Sequence, residues 1–141
     1  MKIYFAGSIR GGRDDAGLYA EIVTVLQEFG TVLTEHVSSS ALDNRGEHTV
    51  PNKVVHDRDL AWLFEADVVV AEVTTPSLGV GYELGRMVER KKPILCLFRP
   101  SSGRSLSPMI SGCQELTIKN YEIVGEARML ISDFLNALKK K

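Results

Sequence analysis

Ser77-Leu78-Gly79-Val80-Gly81-Tyr82-Glu83-Leu84-Gly85-Arg86 joins two stretches of different period. Before it, Asp67-Val68-Val69-Val70-Ala71-Glu72-Val73 is an apolar, β-branched run bounded by turn residues, which reads as a buried strand. After it, Leu84, Met87 and Val88 recur at helical spacing. Glycines at the joint let backbone approach a ligand closely, and they open a helix whose first turn carries a carboxylate, Glu83. A helix start favours the ionised carboxylate by about 0.3 to 1 kcal/mol, which suits a base or nucleophile better than an acid. The plainer reading is ordinary helix-terminal charge, with Glu83 and Arg86 as an exposed i,i+3 pair.

The strand-joint-helix unit repeats along the chain. Lys2 to Ala6 reads as a first strand and runs into Gly7-Ser8-Ile9-Arg10-Gly11-Gly12-Arg13, a loop whose glycines, hydroxyl and forked Arg donors suit an anion. It is neither a Walker A motif nor a complete GxGxxG, and a plain flexible loop stands beside the anion-binding reading. Asp14 or Asp15 is placed to cap a helix with the stripe Leu18, Ile22, Val25, Leu26 and Phe29, ending at Gly30. Thr31 to Val37 is a second strand, with His36 at its C-terminal end as a site-lining or a structural histidine. Residues 38–52 have no period and read as a long loop.

From Lys53 to Ala66 a helical pattern returns, with Asp59 on the stripe of Val55 and Leu63. A carboxylate on a core-facing stripe is desolvated, its pKa rises and it keeps a proton, the profile of a general acid; alternatively it reaches water or an Arg at the stripe border. Pro93 to Phe98 is a further strand, opening into the polar loop 99–109. Leu116 to Tyr121 is a fifth, shorter strand, and Val124 to Leu138 a last helix. The alternation predicts a doubly wound, Rossmann-like or flavodoxin-like α/β fold, a parallel sheet of about five strands with helices on both faces. Its Gly-, Ser- and Arg-rich loops then gather with His36 and Glu83 at the C-terminal edge of the sheet, where such folds bind ligands.

Composition narrows the classes. The 141 residues, 44% of them apolar, suit one domain over 1–141. A net charge of −1 lacks the basic excess of a nucleic-acid binder. Cys96 and Cys113 form no CxxC and recruit no histidine pair, so neither a metal site nor a disulfide framework is suggested, and no cofactor is expected. No signal peptide or membrane-spanning run is visible, which predicts a cytoplasmic protein with nuclear entry open to it by diffusion.

Tyr4, Gly7-Ser8-Ile9-Arg10-Gly11-Gly12, Thr34-Glu35-His36, Asp59-Leu60-x-Trp62-Leu63, the run 66–73, the joint 76–86 and Leu95-Cys96-Leu97-Phe98-Arg99-Pro100 together resemble the 2'-deoxynucleoside 5'-phosphate N-hydrolases, within the wider nucleoside 2-deoxyribosyltransferase family. The likeness runs from the first strand to about Met109. It implies hydrolysis of the N-glycosidic bond of a deoxynucleoside monophosphate, with Glu83 as nucleophile forming a covalent deoxyribosyl intermediate. Asp59 falls on the carboxylate that assists the leaving base, and Tyr4 on the residue near C2' that disfavours a ribose hydroxyl. Ser8, Arg10 and Ser77 match groups around the sugar phosphate, and His36 a residue near the base. The resemblance also draws Gly7, Ile9, Gly11, Gly12, Arg13, Ile22, Gly79 and Pro108 into the substrate-binding set. Ser107 and Met109 match residues that a neighbouring subunit contributes, which implies a homodimer. The partners expected are therefore a small deoxynucleotide and a second copy, with no nucleic-acid polymer and no membrane. The alternatives are a deoxyribosyltransferase that passes the sugar to another base, and a nucleotide-binding module without turnover.

Overall fold

A strand covered on both faces needs apolar residues at every position, and the uninterrupted apolar runs of the sequence are the central strands of one parallel sheet. The computed structural model describes residues 1–8, 15–34 and 50–141. Its strands are β1 (Lys2–Ala6), β2 (Thr31–Val32), β3 (Val68–Glu72), β4 (Ile94–Phe98) and β5 (Thr117–Asn120), in the order β2-β1-β3-β4-β5. Every pairing is parallel, and β3 and β4 are buried along their whole length. The helices are α1 (Ala16–Gln27), α2 (Asn52–Glu65), α3 (Leu78–Glu89), α4 (Pro108–Ser111) and α5 (Val124–Lys139).

The period-two alternation of the strands sorts the core into two layers. Ile3, Phe5, Val68 and Val70 pack against α1 and α5 on one face. Tyr4, Ala6, Val69 and Ala71 pack against α2 and α3 on the other. Side chains on β1 therefore choose between two quite different neighbourhoods. The flavodoxin-like order puts the switch point between β1 and β3, the place where such sheets bind ligands at the strands' C-terminal ends.

Two details fix the register. The Lys2 N–H donates to Asp67 Oδ2 at 2.7 Å and the Asp67 N–H returns to Lys2 O at 2.8 Å, which pins β3 to β1 at its start. Gly30 lies so close to Met1 that a Cβ there would stand 2.1 Å from the Met1 carbonyl oxygen, so only glycine lets Thr31 donate to that oxygen at 3.0 Å and begin β2.

Several boundaries differ from the sequence expectation. β2 ends at Val32 rather than Val37, because the Thr34 hydroxyl, not the backbone, serves β1: it accepts from Phe5 N–H at 2.9 Å and donates to Phe5 O. Asp15 precedes α1 but its carboxylate makes no cap, being committed elsewhere. The stretch 99–109, expected as loop throughout, contains a 3-10 turn at Pro100–Ser102 and the start of α4.

Candidate active site

Tyr4 points from β1 toward α2 and α3, and its hydroxyl donates to Glu83 Oε2. The tyrosine is almost wholly buried. Burial first, then the nearby Glu83 and Asp59 carboxylates, push its hydroxyl far above the ordinary range, while Arg58 opposes them weakly. Tyr4 is thus a permanent donor.

Glu83 is the sixth residue of α3 and stands in its second turn, not in the first as the sequence reading had it. The helix start is instead closed by Ser77, whose Oγ accepts from Val80 N–H at 3.2 Å. Glu83 consequently escapes most of the stabilisation that a helix terminus gives an anion, which fades beyond the first turn. Burial dominates and raises its pKa to about 7; the Tyr4 hydrogen bond pulls it down, and the Asp59 charge pushes it up. Nor does Glu83 pair with Arg86, which donates to the Tyr82 hydroxyl at 2.6 Å and lies over the Phe64 and Tyr82 rings.

Asp59 follows the second of its two sequence readings, an acid at the stripe border that meets an Arg. Its side chain keeps 25% of its surface, and Arg58 Nε and Nη2 each donate to Oδ1 at 3.0 Å. The Arg58 guanidinium also lies 5.0 Å from the centre of the Trp62 ring. Of the two carboxylates, Glu83 is the desolvated one and Asp59 the one matched to a cation. The two carboxylates thus stand in different environments, one buried against a hydroxyl donor and one beside a guanidinium.

Gly7 and Ser8 follow β1 at the switch point. A Cβ on Gly7 would stand 2.9 Å from the Tyr19 ring, and the Tyr19 hydroxyl accepts from Ser8 N–H at 3.2 Å, so glycine is required for Gly7 and Ser8 to lie against Tyr19 of α1. Ser8 is fully buried, and its hydroxyl finds no partner among the described residues. Ile22 does not join this group: it is 0% exposed in the core between α1, α5 and the opposite face of the sheet. Ile9, Arg10, Gly11, Gly12, Arg13 and His36 lie outside the described residues.

On another side of α3 an apolar groove of about 710 Å³ is lined by Ser77, Leu78, Gly81 and Gly85 on one wall and by Ser107 and Met109 on the other. Tyr4, Asp59 and Glu83 do not line it. Ser107 caps α4 by accepting from Met109 N–H at 3.2 Å, with Pro108 as the first residue of that helix. Leu78 is 96% and Met109 82% exposed. Gly79 is an exposed residue of the first turn of α3.

The sequence reading missed a buried polar cluster at the same sheet edge. Glu72, the last residue of β3, is 0% exposed. It accepts from Thr74 N–H at 2.7 Å, from the Thr74 hydroxyl at 3.1 Å, from Arg99 Nε at 3.3 Å and from the Tyr121 hydroxyl. Arg99 reaches on to Asp15 Oδ2 at 2.8 Å, which the Thr75 hydroxyl also approaches at 3.3 Å. The available signal was an acid closing an otherwise apolar strand, with an Arg closing the next one.

A buried carboxylate, a tyrosine donor and a second carboxylate thus stand together on one face of a doubly wound α/β sheet. The chain belongs to the nucleoside 2-deoxyribosyltransferase family, whose model matches residues 3–126. Among its relatives, the 5-hydroxymethyl-dUMP N-hydrolase of Tetraodon nigroviridis is 56% identical over 140 residues, covering 96% of this chain and 98% of that protein. The 5-hydroxymethyl-dUMP N-hydrolase of Homo sapiens is 55% identical over 139 residues, 96% of this chain and 79% of its own length. The solved CMP N-glycosidase BcmB of Clostridium botulinum shares the fold, with a TM-score of 0.64 at 13% identity over 94% of this chain and 98% of its own.

Proposed function

We propose that this enzyme hydrolyses the N-glycosidic bond of 2'-deoxynucleoside 5'-monophosphates, with 5-hydroxymethyl-dUMP as the first substrate to test, releasing free base and 2-deoxyribose 5-phosphate. The observation that carries the reading is the Tyr4–Glu83 hydrogen bond beside Asp59 at the switch point, together with the printed activity of the relatives. In its ionised form Glu83 attacks C1' and forms the C1'–O bond as the C1'–N bond breaks. The electron pair leaves with the base, which takes up a proton. Asp59, held by Arg58, is the carboxyl group available to assist that transfer and then to orient water. Water cleaves the deoxyribosyl–Glu83 ester and regenerates the carboxylate, a two-step retaining course. Tyr4 bounds the space beside the nucleophile and disfavours a ribose 2'-hydroxyl.

A homodimer completes the proposal. The exposed Leu78 and Met109 flank an apolar groove whose far wall carries Ser107, an arrangement that suits a second copy bringing Ser107 and Met109 to a neighbouring site. Incubation with 5-hydroxymethyl-dUMP, dGMP, the matching nucleosides and the ribonucleotides, with products identified by mass, tests the reading. Faster base release from the unphosphorylated nucleosides would overturn it. The family description also favours a transferase reading; efficient formation of a new nucleotide when a second free base is added would establish that instead.

A further inference from the structure

The Glu72 cluster lies outside the Tyr4–Glu83 site, and the chemistry just described makes no use of it. Val68 and Val70 precede Glu72 on the same face of β3 and pack into the α1–α5 core, so that face accepts apolar residues readily. Replacing a buried ion pair by packed apolar groups is often neutral or stabilising, so stability alone is a weak reason for a wholly buried carboxylate here. What the cluster does do is join elements. Glu72 closes β3, Arg99 follows β4, Tyr121 follows β5, and Asp15 precedes α1. Thr74 takes part twice, donating its hydroxyl to Glu72 and accepting from Arg99 N–H at 3.0 Å.

At its Asp15 end this chain of bonds leads to the groups matched with the sugar phosphate, since Asp15 O also accepts from Tyr19 N–H at 2.9 Å. Asp15 and Thr75 tie the start of α1 to the β3–α3 connection, two residues before Ser77. The Tyr19 hydroxyl, within reach of the Glu72 charge, holds Ser8 N–H. We infer that Glu72, Arg99 and Asp15 form a positioning clamp that sets the spacing of Ser8 and Ser77 and thereby selects a phosphorylated sugar over an unphosphorylated one. The inference rests on the deoxynucleotide reading above. Arg99, already matched by two carboxylates, acts through Asp15 and Glu72 rather than by touching phosphate.

The test uses Asp15→Asn and Glu72→Gln in the full chain. Binding of 2-deoxyribose 5-phosphate and of 2-deoxyribose is measured by calorimetry, and KM and kcat on 5-hydroxymethyl-dUMP and its nucleoside by base release. The expected result is sugar-phosphate affinity about ten-fold weaker or more, and a monophosphate KM raised to match, with kcat and the nucleoside parameters within about two-fold of wild type. Unchanged sugar-phosphate binding, or a parallel loss on both substrates that tracks a fall in Tm, overturns the clamp. If Glu72→Gln does not fold, Asp15→Asn, whose side chain is partly exposed, decides alone. Wild-type protein that binds the sugar phosphate but cleaves no deoxynucleotide refutes the hydrolase reading while leaving the clamp to be judged by the calorimetry.

Discussion

The Tyr4 hydroxyl, on the third residue of β1, donates to the Glu83 carboxylate in the second turn of α3. Among the described residues that bond is the one stabilising influence on an anion otherwise disfavoured by burial and by Asp59. An attacking carboxylate must be ionised, so kcat/KM for the monophosphate is expected to rise with pH along an acid limb centred near the Glu83 value of about 7. A pH–rate profile between pH 5 and 9 measures it, and a limb near the ordinary carboxylate value would contradict the burial account.

Tyr4→Phe removes the one group among the described residues that lowers the Glu83 pKa, so its acid limb moves to higher pH, with kcat/KM at pH 7 falling about ten-fold or more. An unmoved limb in the variant would show that the hydroxyl does not govern Glu83 ionisation.

Asp59→Asn acts in the opposite direction on the same limb. Loss of its charge lowers the Glu83 pKa, so the acid limb moves down even as turnover falls from the loss of assistance to the base. The two variants separate on the pH axis, whatever their absolute rates.

Stability carries the same signature. Because the folded Glu83 pKa is about 7 against an ordinary 4.5, the folded state binds this proton more tightly. The contribution is fully present below 4.5 and is lost as pH rises through 7, at most about 3 kcal/mol. Glu83→Gln cannot lose it. Its Tm is therefore expected to gain on wild type between pH 5 and pH 8, and thermal denaturation that shows the same difference at both values would count against the shift.

Gly7→Ala drives a methyl group into the buried Tyr19 ring. Overpacking of this kind costs about 1–3 kcal/mol, a Tm lower by roughly 3–10 °C. Base release should fall further than stability explains, since Tyr19 holds Ser8 N–H.

Leu78→Glu places a charge on a side chain that is 96% exposed at the groove. If the proposed dimer forms through this groove, light scattering is expected to show a dimer for wild type and a monomer for the variant, with turnover falling in proportion. Full activity in a monomeric variant would remove Ser107 and Met109 from any neighbour's site.

The legible parts were those set by local pattern. β3, β4 and α3 follow from β-branched runs and from the spacing of Leu84, Met87 and Val88, and both core layers follow from alternation in β1 and β3. The environment of Glu83 was not legible, because it depends on a hydroxyl 79 positions away and on where Ser77 closes the helix. Asp59 was placed on the right stripe, yet its nearest cation is the adjacent residue, on the border rather than in the core. Glu72 was concealed by its apolar neighbours, since strand pattern says nothing of what a single acid meets at the strand's end. α4 is four residues long, too short to carry a period.

The margins of the sheet have one more effect. β2 is a two-residue strand followed by a side chain that takes over the bonding of Phe5, and β5 is a four-residue strand bearing Lys119. So few free rungs and a charge at the rim give an incoming strand little to grip. Among the described residues the sheet therefore offers little edge for strand addition, which leaves the helical flank with the α3 groove as the surface open to the proposed second copy.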